Sequence, residues 1–167
     1  MIPRIKKILY ATDLSENSAY AFRYAVGTAQ NHGAEIHILH VLEGIRENYL
    51  VPYYDLEEIQ AMRRKGKEEI RERIQKRLEA FCQKEFMADP QCRNLVASTE
   101  VTEGDPAAEI LRKAEEMKAD LVVMGTHGKG LLEQTFLGSV AEKVLHRTKI
   151  PVLTIPIPKE TDIRLTL

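Results

Sequence analysis

Five short apolar runs alternate with stretches of helical periodicity, and no feature of this chain limits its fold more. Residues Ile5 to Thr12 read as a strand whose Ile8-Leu9-Tyr10-Ala11 run stops at the polar cluster Asp13 to Ser18. Ala21, Phe22, Ala25, Val26 and Ala29 then fall at helical spacing, and Gly33 stands where a left-handed cap belongs. Ala34 to Glu43 returns to a strand. An irregular stretch follows from Gly44 to Asp55, and Leu56 to Phe86 is charged but periodic, with Ile59, Met62, Ile70, Ile74, Leu78 and Phe81 on one stripe of a long helix. Leu95 to Val101 is a more polar strand. Asp105 can cap the next helix and Pro106 can open it, with Ala108, Ile110, Leu111 and Ala114 carrying its apolar face. Leu121-Val122-Val123-Met124 is the most uniformly apolar strand; Val140, Val144 and Leu145 mark another helix, and Val152 to Ile155 close the series.

The order β-α-β-α-β-α-β-α-β calls for parallel strands joined by right-handed crossovers, with helices on both faces. The expected fold is therefore an open, doubly wound, five-stranded α/β sheet of Rossmann-like type. No internal repeat and no linker rich in Gly, Pro or Ser divides the chain, so residues 1–156 are expected to form one domain and residues 157–167 a C-terminal tail.

Composition narrows the function classes. The 167 residues are 44% hydrophobic and 29% charged, which is ordinary globular usage. With 24 basic and 25 acidic residues the net charge is -1, too balanced to gather nucleic acid or an anionic membrane. No run approaches the roughly 20 apolar residues of a membrane span, and the basic start leads directly into a strand, so a cytoplasmic protein is expected. Cys82 and Cys92 show no CxxC spacing and no neighbouring ligand set; free thiols are the expectation.

Ligands of such sheets bind beyond the carboxyl ends of the strands, where adjacent strands send their helices to opposite faces. The two most apolar strands, the first and the fourth, are expected side by side, and their loops are the chemically unusual ones. Asp13 ends the first strand. The fourth runs into Gly125-Thr126-His127-Gly128-Lys129-Gly130, whose glycines let backbone N–H groups approach phosphate oxygens, and the helix starting near Gly138-Ser139 aims its positive end at the same anion. Ser139 can add a hydroxyl donor and cap that helix. The segment is neither a Walker A loop nor a GxGxxG fingerprint. Asp13 can equally cap the first helix, a role compatible with ligand binding. His127 lacks a nucleophile to activate and is read as shaping the loop, whereas Lys129 either reaches a phosphate or is solvated. His37 and His40 are read as satisfied polar residues of the second strand rather than metal ligands.

These residues resemble the universal stress protein family, in its ATP-binding branch. Gly125-Thr126-His127-Gly128, nine further residues and Gly138-Ser139 match the family's G-x-x-G-x9-G-S/T nucleotide motif, and Ile8 to Ser15 looks like its opening strand and turn. His40-Val41, Gly104-Asp105-Pro106 and Pro151-Val152-Leu153 fit as well. The resemblance implies the fold of the adenine nucleotide alpha hydrolases, with strand order 3-2-1-4-5. It implies ATP, or AMP or ADP, as ligand, with Mg or Mn accompanying the phosphates. Ala11, Thr12 and Asp13 would lie near ribose, phosphates or a metal held indirectly by Asp13, and the main chain of Val41 would recognise adenine. Gly125, Thr126 and Gly128 to Gly130 would approach ribose and phosphates, and Gly138, Ser139 and Val140 would cradle the terminal phosphates. It also implies a homodimer pairing through Val152 to Ile155, and regulatory protein partners that read the nucleotide state. Ala11 stands where relatives often carry proline. A stress-response nucleotide switch is the first reading, a slow Mg-dependent ATPase the second, and a structural dimer without nucleotide the third.

Overall fold

A computed structural model describes residues 2–15, 18–44, 50, 53–85, 90–126 and 137–156. Strand β1 (Lys7–Ala11) leads to α1 (Ser18–His32), β2 (Glu35–Leu42), the long α2 (Leu56–Glu85), the short α3 (Pro90–Asn94), and β3 (Val96–Glu103). The chain continues with α4 (Pro106–Glu116), β4 (Leu121–Gly125), α5 (Ser139–Arg147) and β5 (Val152–Ile155). All five strands are parallel, in the order β3-β2-β1-β4-β5. Both the adjacency of the first and fourth strands and the full order agree with expectation.

The apolar runs are explained by burial on two sides. Successive residues of a strand point to opposite faces, so a strand covered on both needs apolar residues throughout. Ile8 and Tyr10 of β1, with Leu121 and Val123 of β4, join the core beneath α1 and α2. Leu9, Val122 and Met124 join a second core beneath α4 and α5. The register sets these layers level, with Ile8 opposite both Ile36 and Leu121. Strand β3 lies at an edge, which is why it tolerates Ser98 and Thr99. Its Ser98 hydroxyl pairs with His37 Nδ1 at 2.7 Å, and His37 Nε2 lies 3.2 Å from Glu35. The other edge is β5, the strand named in the dimer expectation.

The expectation of free thiols is overturned. Cys82, near the end of α2, and Cys92, in α3, form a disulfide. Helix α3 lacks the length that makes periodicity visible, and only its return toward α2 brings the sulfurs together. Both cysteines are buried in the α1/α2 core.

Helix α4 begins as its sequence suggests. Asp105 accepts from Ala108 N at 2.9 Å, Pro106 occupies the first turn, and Gly104 adopts φ +147°, which a side chain would resist. That N–H bond holds the Asp105 carboxyl below the usual carboxylate range, with Lys143 adding to the effect. A carboxyl whose pKa is lowered by folding stabilises fully above its unfolded pKa and loses that contribution as pH falls through the folded value. Asp105→Ala should therefore lower the unfolding midpoint at neutral pH, whereas Asp105→Asn, still a good cap, should not. As pH drops below the carboxylate range, thermal melts of the wild type and Asp105→Ala should converge while Asp105→Asn keeps its cap.

Candidate functional site

Strand β1 sends its helix to one face and β4 sends its helix to the other, so the chain opens a crevice at their carboxyl ends. The cleft there has a volume of about 600 Å³. The end of β1 contributes Ala11, the turn after it Thr12 and Asp13, and the end of β2 Val41. Gly125 ends β4 and Thr126 follows it, with Gly138, Ser139 and Val140 from the start of α5. The structure thus brings these sequence-selected residues to one cavity. His127, Gly128, Lys129 and Gly130 lie outside the described residues, as do most of the loop from Gly44 to Asp55 and the tail after Pro156.

The β1 turn is tightly specified. Thr12 N donates to Leu39 O at 3.0 Å, Leu14 N to Thr12 Oγ1 at 3.1 Å, and Ser15 N to Asp13 Oδ1 at 3.0 Å. Asp13 therefore braces the turn ahead of α1 through one oxygen. Leu14 takes φ 58°, a left-handed conformation that costs a leucine about 1 kcal/mol or more. This twist sends Leu14 into the α1/α2 core while Asp13 lines the cleft.

Two further groups hold the turn, and sequence reading had not assigned them to the site. A carbonyl can only accept, so the His40 Nδ1 found 2.8 Å from Thr12 O carries the proton and ties β2 to the turn. The Tyr10 hydroxyl donates to Ser18 O at 2.8 Å. Burial pushes its pKa up to about 12, so the phenol remains a neutral donor and offers no base. Tyr10, His40, Ser15 and Ser18 all line the cleft. Their only signal in the sequence is position, just before or after the carboxyl end of a strand.

On the opposite wall, Thr126 acts through its backbone. Its N–H donates to Ile155 O at 2.9 Å, and its carbonyl accepts from Gly138 N at 2.7 Å. The second bond closes the intervening loop and sets Gly138 beside the end of β4. The expectation that Ser139 caps α5 is corrected: Gly138 is the N-cap and Ser139 is the first helical residue. Glycine has no side-chain acceptor, so the cap position itself cannot supply one. The first bond of the helix runs from Glu142 N to Gly138 O at 2.9 Å. The N–H groups of Ser139, Val140 and Ala141 precede it, at the positive end of the helix dipole and on the cleft wall.

The charges facing the cleft from its described lining are the carboxylates Asp13 and Glu43, with no lysine or arginine among them. Positive potential comes instead from the start of α5. Among the described residues, no three His, Cys, Asp or Glu side chains are grouped to hold a metal ion, and no helix is long and apolar enough to cross a membrane.

The family model for the Universal stress protein family matches residues 4–156. Universal stress protein MJ0531 of Methanocaldococcus jannaschii is 35% identical over 155 residues, covering 93% of this chain and 84% of its own. The solved structure of MJ0577, from the same organism, superposes with a TM-score of 0.69 at 26% identity, covering 95% of this chain and 100% of that one. Two structures at 21% identity share the fold: a universal stress protein in complex with cAMP, at TM-score 0.54 over 93% of this chain and 100% of that one, and one from Archaeoglobus fulgidus in complex with dAMP, at TM-score 0.52 over 92% and 99%. Matched in sequence across nearly all of its sheet and in fold throughout, the chain belongs to the universal stress protein family.

Proposed function

We propose that the cleft between β1 and β4 binds an adenine nucleotide, with ATP the preferred occupant and AMP or ADP alternatives, and that occupancy makes the protein a regulatory switch in a stress response. The observation that carries this reading is the start of α5, where a glycine stands at the N-cap and the first amide groups lie on the wall of a 600 Å³ cleft. Backbone N–H groups at a helix start suit phosphate oxygens. The cleft also falls within the range of small-molecule sites. The cAMP and dAMP complexes of two proteins with this fold support adenine over other bases.

In this reading Gly138, Ser139 and Val140 cradle the terminal phosphates, Gly125 and Thr126 flank ribose, and the main chain of Val41 meets adenine. Asp13 and Glu43 face the same space, so a polyphosphate needs its charge neutralised there. Mg or Mn arriving with the phosphates would supply that charge, with Asp13 holding it indirectly. His127, Gly128, Lys129 and Gly130 would complete the loop over the phosphates.

Calorimetric titration of the purified protein with ATP, AMP and GTP, each with and without Mg, tests the reading. ATP should bind in the micromolar range, adenine should be preferred over guanine, and Asp13→Ala should remove most of the Mg dependence. Absence of binding at millimolar ATP, in protein from which heat denaturation releases no nucleotide, would reject it.

A further inference from the structure

A second cavity of about 390 Å³ lies between α1 and α2, behind the β1 turn. It shares Tyr10, Thr12 and Ser18 with the first cleft, but Asp13 and Ser15 face only the first and Leu14 only the second. Contacts at both ends link the helices. At one end the Phe22 and Phe81 rings meet at 4.9 Å and Arg23 pairs with Glu85 at 2.7 Å. At the other, Arg77 Nη1 donates to Ser15 O at 3.0 Å and to Ser18 Oγ at 3.2 Å. Between them the exposed Ala19 and Ala80, small residues on the two helices, leave the space open.

The chemistry of this cavity differs from that of the cleft. Its floor is apolar, built by Leu14, Phe22, Ile38, Ile74 and Leu78, all buried. Among the described residues its rim carries three cations, Arg23, Arg77 and Lys84, against the one carboxylate of Glu85, which Arg23 already engages. The Tyr10 hydroxyl is committed to Ser18 O, and no described buried side-chain polar atom lacks a partner, so the floor demands no polar group from a ligand. An apolar floor beneath an excess of positive charge complements a molecule with a hydrocarbon body and one anionic end.

We propose that the cavity between α1 and α2 is a second ligand site, which takes a small aliphatic carboxylate with its chain on Leu14, Ile38, Ile74 and Leu78 and its carboxylate at Arg77 and Lys84. Arg77 keeps donors beyond the Nη1 that holds the β1 turn, because a guanidinium carries five. The site is independent of the nucleotide reading, since it uses neither the α5 start nor Asp13.

Calorimetric titration of the full chain with hexanoate, octanoate, decanoate and octan-1-ol, all below micelle-forming concentrations, tests the proposal. Affinity should rise about fourfold per methylene, the value of burying one CH₂, and then level off once the finite cavity is filled. Octanoate should bind about tenfold or more tightly than octan-1-ol, as expected when a charged group is hydrogen-bonded. Methyl NMR shifts should move at Ile38 and Ile74 and stay still at Val140. Ala80→Phe, which fills the opening without removing a contact, should weaken octanoate at least tenfold while its thermal midpoint and nucleotide binding stay at wild-type values. Lys84→Gln should weaken octanoate by up to about fivefold, the ordinary scale of an exposed ion pair. Saturable octanoate binding of this pattern supports the site. Equal affinity for acid and alcohol, affinity that keeps rising with chain length, or no saturable binding overturns it, and the comparison of ligands decides even if Ala80→Phe fails to fold.

Discussion

Ser139→Asp should lower ATP affinity by about a hundredfold and leave the protein at least as stable as the wild type. Ser139 is the first residue of α5 and lines the cleft. In the proposed complex its hydroxyl donates to a phosphate, and a hydrogen bond to a charged group contributes about 1.5–3 kcal/mol, to which the new carboxylate adds repulsion. The same carboxylate sits well at the helix start, where a negative charge contributes about 0.3–1 kcal/mol. Binding and stability therefore move in opposite directions, which separates lost recognition from misfolding. Ser139→Ala should fall between, at roughly tenfold, the lower end of the same hydrogen-bond range. Because the cradle is assigned to the terminal phosphates, the loss should be larger for ATP than for AMP. Calorimetric titration with both nucleotides, alongside thermal melts, reads all of this; unchanged ATP affinity in Ser139→Asp would remove the α5 start from the site.

Replacing Cys82 and Cys92 together by alanine should lower the unfolding midpoint by roughly 6–12 °C. The cross-link closes a loop of sequence separation 10, and the chain-entropy model assigns a loop of that size about 3 kcal/mol. For a chain of this length each kcal/mol displaces the midpoint by roughly 2–4 °C. Strong reductant should move the wild type toward the double variant and leave the double variant unchanged. Coincident melting curves for wild type and variant, without reductant, would show that the bridge is not formed in the folded protein. The consequence also reaches the second cavity, because Cys82 lies one residue beyond Phe81, where α2 packs on Phe22. Loosening this end of α2 should weaken octanoate before it affects ATP.

Strands β1 and β4 were legible because each is buried on both faces, and only an unbroken apolar run satisfies that. The same reasoning made them neighbours and placed the crevice. The turn chemistry at Asp105-Pro106 was legible too, since a helix cap is decided within a few residues. Less visible were features that depend on where distant segments meet. His40 looked like a polar residue of a strand until Thr12 O was found beside its ring. Ser139 looked like a cap because serine favours that position, yet the bond from Gly138 N to Thr126 O moved the cap one residue earlier.

The order of amino acids was enough to set the alternation of elements, their parallel arrangement, the order of strands through family resemblance, and the glycine and acidic residues at the carboxyl edge. These follow from local periodicity and short-range backbone preference, which a linear chain displays directly. It took the packed molecule to bring Cys82 to Cys92, to turn Leu14 away from Asp13 into a different cavity, and to give the gap between α1 and α2 an apolar floor and a cationic rim. Each of these joins residues whose spacing carries no periodic signal, so the contact exists only after the helices have docked on the sheet.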